Sequence, residues 1–124
     1  MKKVILAIFL VMLVISCASA DGSLYYNRAS EEFKLSARGN GPIHITYAFH
    51  FLEKAAEEGH TTSMFVLGYL SYQRQGLINK FAAMDWWDMY EKHESDPNPE
   101  FIVTIEHARR ELKSVLKRLE AGIY

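Results

Sequence analysis

The chain has 124 residues, 49% of them hydrophobic and 23% charged, with a formal net charge of −1. That length accommodates one domain, and an apolar fraction at the globular average excludes a disordered or collagen-like chain. The apolar residues are unevenly placed, however. Lys2 and Lys3 precede an uncharged apolar run from Val4 to Ser16. A basic start followed by about 7–15 apolar residues is the pattern of an export signal. The run falls short of the roughly 20 residues that a membrane-spanning helix needs. Residues 1–20 are therefore expected to be an address label, and 21–124 the folded domain.

Two exits from this leader are legible. Ala18-Ser19-Ala20 puts small residues where a general signal peptidase cuts, so that the chain would begin at Asp21. Val14-Ile15-Ser16-Cys17 instead resembles a bacterial lipobox, which makes Cys17 the candidate lipidation site. An acyl chain contributes about 0.8 kcal/mol per buried methylene, so the choice separates a tethered protein from a diffusible one.

Without the leader, 104 residues remain, 12 basic and 15 acidic, for a net charge of −3. A mildly acidic surface argues against nucleic acid, whose affinity rests on neutralising phosphates with Lys and Arg. Cys17 is the only cysteine, so the domain is expected to hold neither a disulfide nor a thiolate metal site. Export without disulfides fits a bacterial envelope. The expected location is the periplasm or a tether on the periplasmic side of a membrane, with secretion as the alternative.

The periodicity is helical throughout. The first helix is expected over about Ser23 to Arg38, ended by the Gly39-Asn40-Gly41-Pro42 turn. The second runs from about Ile43 to Glu58, stopped by Gly59. The third covers about Thr62 to Gln75, with Thr61 or Thr62 as cap and Gly76 at its end. The fourth spans about Lys80 to Lys92, capped by Asn79 and carrying Phe81, Trp86, Trp87 and Tyr90. Ser95-Asp96-Pro97-Asn98-Pro99 breaks the chain, and Pro99 suits a first helical turn after an Asn98 cap. The last helix, about Pro99 to Ala121, has Ile102, Ile105, Ala108, Leu112, Val115, Leu116 and Leu119 on one face.

The expected fold class is all-α, with about five helices joined by short turns into antiparallel pairs. A shift of 35 positions lays Gly41 on Gly76, Ala48 on Ala83, Phe51 on Trp86, Leu52 on Trp87 and Glu53 on Asp88. Leu35 falls on Leu70 in the preceding helices. A fixed period of this size is the mark of stacked helix pairs, an α/α solenoid.

Tyr47-Ala48-Phe49-His50-Phe51-Leu52-Glu53-Lys54-Ala55-Ala56-Glu57-Glu58-Gly59-His60 resembles the second helix and exit of a Sel-one-like repeat, a relative of the tetratricopeptide repeats. Leu67-Gly68, Tyr72, Gly76-Leu77 and Ala83-Met84-Asp85-Trp86-Trp87 are similar to the next helix, glycine loop and following helix of that family. The resemblance covers about Gly41 to Tyr90. It departs at Arg74, where the family often has glycine, and at Tyr90-Glu91, which replace a second alanine pair. With one complete repeat flanked by partial ones, the long last helix is expected to cap the stack over Trp86, Trp87 and Tyr90.

Chemistry is harder to find. His44, His50, His60, His93 and His107 form no helical metal pair at i, i+3 or i+4. His60 follows the glycine turn, where a capping role is expected. Asp85 and Asp88 lie beside two tryptophans and could serve as an acid pair, but a solvated helix face has the same pattern. Nucleophile elbows, Walker loops and dinucleotide-binding glycine clusters do not occur. Neither a catalytic set nor a cofactor is expected.

Binding is the better expectation. Phe65, Tyr69 and Tyr72 fall at i, i+4 and i+7. In stacked helix pairs the first helix of each pair lines the concave surface where partners dock. Tyr25, Tyr26 and Arg28 on the first helix and Arg74 near the end of the third complete the candidate set, since aromatics and Arg are favoured anchors. Burial of Phe65 and Tyr69 in the core fits the same spacing. The resemblance implies adaptor or regulatory contacts with another protein of the envelope. Small periplasmic members of the family also serve as immunity proteins against a secreted toxin. The competing classes are a periplasmic hydrolase using Asp85, Asp88 or His50, and a structural lipoprotein reaching the membrane only through Cys17.

Overall fold

Residues 22–39 and 41–122 are described by a computed structural model of the chain. The leader, Cys17 and both exits from the leader lie outside the described residues. Among the described residues there are five helices and no strand: α1 (Ser23–Ala37), α2 (Ile43–Glu57), α3 (Thr61–Gln73), α4 (Leu77–His93) and α5 (Pro99–Glu120). No described helix is long and apolar enough to cross a membrane. The chain divides into two units, the first ending at Ser63 and the second starting at Met64.

In the first unit α1 and α2 form an antiparallel pair. Tyr25 near the start of α1 stacks on Phe51 late in α2, with ring centroids 6.3 Å apart. Phe33, farther along α1, meets Phe49 edge-on at 6.4 Å. Glu32 and His44 close the other end, with Oε2 and Nδ1 2.6 Å apart. Ala29 and Ala48 are buried, and such small side chains let helix axes approach closely. Gly22 is required ahead of α1. Its φ is +83°, and a Cβ there would overlap the carbonyl of Ala55 and the side chain of His60.

The exit of α2 is a Schellman turn. Gly59, at φ +93°, donates its N–H to Ala56 O at 2.9 Å, and His60 donates its N–H to Ala55 O at 3.0 Å. The same His60 then caps α3. Its Nδ1 accepts the N–H of Ser63 at 3.2 Å and lies 2.7 Å from the Ser63 hydroxyl. Thr61 is already helical, so neither threonine supplies the cap. One histidine thus ends one helix and begins the next.

The second unit holds most of α3 with α4 and α5. Met64, Phe65 and Leu67 are buried from α3, Ala83, Trp87 and Tyr90 from α4, and Ile105, Ala108 and Leu112 from α5. Two boundaries differ from expectation. α3 stops at Gln73, and α4 starts at Leu77 rather than Lys80. Gly76, at φ +98°, occupies the N-cap position of α4. Asn79 is inside the helix and donates its side-chain N–H to Gln75 O at 2.8 Å. The earlier start places Lys80 on the first turn of α4, where its Nζ donates to Tyr72 O at 2.6 Å. A cation on a terminal carbonyl of α3 satisfies a group the helix cannot and complements the helix dipole.

α5 begins as expected. Asn98 Oδ1 accepts from the N–H of Glu100 at 2.9 Å and of Phe101 at 3.4 Å, with Pro99 in the first turn. The turn before it is tied to α4, because Asn98 N–H donates to the Tyr90 hydroxyl at 2.9 Å. Arg109 of α5 spans Asp88 and Glu91 of α4, at 2.7 and 2.8 Å.

Candidate functional site

The candidate binding residues fall into both units, and each group has its own surroundings. In the first unit, Tyr25 and Arg28 lie one turn apart on α1 and face Phe51 of α2. The Arg28 guanidinium carbon sits 5.7 Å from the Phe51 centroid, over the ring on which Tyr25 stacks. Leu24, Tyr25, Arg28 and Phe51 line an open cleft of about 340 Å³. That is at the lower end of the range for ligand clefts, about 300–1,000 Å³. Leu24 is 68% exposed. Arg28 makes no hydrogen bond or ion pair among the described residues. Tyr26 points elsewhere and stacks on His60 at 4.7 Å, which makes it a support for the junction of α2 and α3.

In the second unit, the aromatic stripe of α3 separates into three environments. Phe65 is 8% exposed. It lies parallel to Phe101 with centroids 3.8 Å apart, and Trp87 and Tyr90 complete its surroundings. Phe65 therefore belongs to the core. Tyr69 is 45% exposed, and its ring lies tilted beside Phe65 with centroids 6.4 Å apart. Tyr72 is intermediate. Its hydroxyl donates to Glu111 Oε1 at 2.9 Å, and Lys80 Nζ stands 4.1 Å from its ring centroid. Burial, then the hydrogen bond and negative charge of Glu111, push the Tyr72 phenol up to about 12. Arg74 is exposed in the turn after α3.

The residues nominated for a hydrolase have other commitments or stand apart. Asp88 is paired with Arg109, Asp85 is exposed on α4, and His50 is exposed on α2 in the other unit. Among the described residues no three His, Cys, Asp or Glu side chains gather as a metal site.

Leu24 and Phe51 are cleft residues that the candidate set lacks. Phe51 had a signal, since it faces the same side of α2 as Ala48 and Ala55. Leu24 had none, because a single leucine at a helix start is the same in a core or on a surface. A second apolar feature is the outer face of α4, where Ile78, Phe81 and Met89 are exposed at i, i+3 and i+11. Comparison with protein-family models, curated proteins and solved structures finds no match for the chain.

Proposed function

We propose that the chain is an exported, non-enzymatic protein-binding module of the bacterial envelope, built on Sel-one-like helix-pair repeats with α5 as their cap. The observation that carries the binding reading is the cleft on the first unit. Two nominated residues, Tyr25 and Arg28, line it, and exposed apolar surface beside an Arg with no ion pair among the described residues is what partner proteins use as an anchor site. Burial supports the repeat. Residues 35 apart share their environments: Ala48 and Ala83 are buried, as are Leu52 and Trp87, and Glu53 and Asp88 are exposed. Phe101 packing on Tyr90 supports α5 as the cap.

The test is capture from a bacterial envelope extract with the full chain and with two variants, Tyr25→Ala and Tyr69→Ala. A partner held by the parent chain and released by either variant, with helical circular dichroism unchanged, supports the reading. A chain that retains nothing dependent on these side chains overturns it. In its sharper form the partner is a secreted toxin, and co-expression of the chain should then rescue cells that make the toxin encoded beside it.

A further inference from the structure

The chemistry of the cleft on the first unit points to one kind of occupant. Its lining carries three apolar side chains and one charge, Arg28, with no acid among them. The Arg28 guanidinium carbon lies over the Phe51 ring, 5.7 Å from its centroid, a cation–π placement. No hydrogen bond or ion pair to another described residue takes up the guanidinium donors, which form a fork that matches a carboxylate. Of the two acids one turn ahead on α1, Glu32 is held by His44 and Glu31 lines a separate cleft with Lys34 and Arg38. A single cation suits a single negative charge, whereas a phosphate dianion calls for two. The volume is enough for one large side chain and its neighbouring group.

We propose that this cleft binds a partner polypeptide through an apolar side chain seated against Leu24, Tyr25 and Phe51, with an adjacent carboxylate on Arg28. The assignment rests on the binding reading above and names the chemistry of the partner element. Specificity then comes from Arg28, and most of the contact area from the rings.

The probes are N-acetyl-phenylalanine, its amide and octanoate, each titrated into the full chain and followed by ligand-observed NMR. N-acetyl-phenylalanine should bind about tenfold more tightly than the amide, the factor expected for a charge-assisted hydrogen bond. Octanoate should bind more weakly than N-acetyl-phenylalanine. In Arg28→Gln, an exposed substitution that leaves α1 intact by circular dichroism, the acid and amide should bind alike. Equal binding of acid and amide to the parent chain overturns the proposal, as does a preference that survives Arg28→Gln. Tighter binding of octanoate overturns it in favour of a lipid ligand. If capture in the preceding experiment depends on Tyr69 while these probes fail, the module reading stands and the cleft assignment falls.

Discussion

Trp87 donates its indole N–H to the carbonyl of Phe65 at 3.1 Å and lays its ring against the bare Cα of Gly68, one turn farther along the same helix. A Cβ on Gly68 would overlap the indole nitrogen and its neighbouring carbon. The glycine thus serves close packing rather than a turn. Its usual helix cost of about 1 kcal/mol is the condition for burying the largest side chain in the unit.

Gly68→Ala should therefore destabilise the protein, even though alanine is the better helix former. Overpacking is expected to outweigh the propensity gain and leave a net loss of about 1–3 kcal/mol. Urea unfolding of the variant measures it. Trp87→Phe made in the same chain should recover part of the loss, since contacting residues are non-additive. Gain of stability in Gly68→Ala alone would show that the indole can move aside.

Phe101→Ala removes the ring that lies parallel to Phe65. Because Phe101 is half-buried, the expected cost is about 2–3 kcal/mol, below the range for a fully buried ring. Phe101→Leu should restore most of it. Thermal unfolding followed by circular dichroism separates the two variants.

The Tyr72–Glu111 contact has a signature in alkali. A phenol held up at about 12 keeps its proton in the folded state where the unfolded chain has released it. The stability it contributes is complete below pH 10, the ordinary phenol value, and is lost as the pH rises towards 12. Ultraviolet titration of the tyrosines should show one component near 12, and in Glu111→Gln that component should move down towards 10. No movement would mean that Glu111 does not influence the phenol.

At the start of α5, Asn98→Ala should cost about 1 kcal/mol, since the Glu100 and Phe101 N–H groups lose their acceptor. Asn98→Asp keeps that acceptor and should stay within a few tenths of a kcal/mol of the parent. Tyr90→Phe removes the acceptor of the Asn98 N–H and should cost a comparable amount by a different route. Chemical unfolding of the three variants distinguishes a cap from general turn packing.

At the junction of α2 and α3, His60→Ala removes the acceptor of the Ser63 N–H and the partner of a buried hydroxyl. The expected cost is about 1–2 kcal/mol. His60→Asn retains a cap acceptor and should recover about half. Hydrogen exchange at the Ser63 amide reports the same loss locally, rising in the alanine variant before global unfolding does.

Local features were legible because they depend on neighbours in the chain. Five helical segments, the Gly59 stop, the Asn98 cap with Pro99 behind it, and the buried face of α5 all follow from periodicity and from residues within four positions of one another. The start of α4 was not, since Asn79 and Gly76 are both acceptable at a helix start. What separates them is Lys80, whose amine reaches the carbonyl of Tyr72 eight residues back. The cap of α3 went to His60 rather than to a threonine for a similar reason, as Tyr26 of α1 holds that imidazole by stacking on it.

The candidate binding residues divide along the same line. A spacing of i, i+4 and i+7 puts Phe65, Tyr69 and Tyr72 on one stripe whether that stripe meets a core or solvent. The positions of Phe101, Trp87 and Tyr90 decide that Phe65 is covered, and Glu111 and Lys80 decide how Tyr72 is held. The cleft beside Arg28 likewise requires Phe51, 23 positions away, to arrive beneath the guanidinium. Amino-acid sequence by itself determined where the helices lie and which faces are apolar, because both are set by backbone geometry over one or two turns. Tertiary structure decided which aromatics are buried and which charges are paired among the described residues, because burial and pairing depend on residues that only the fold brings together.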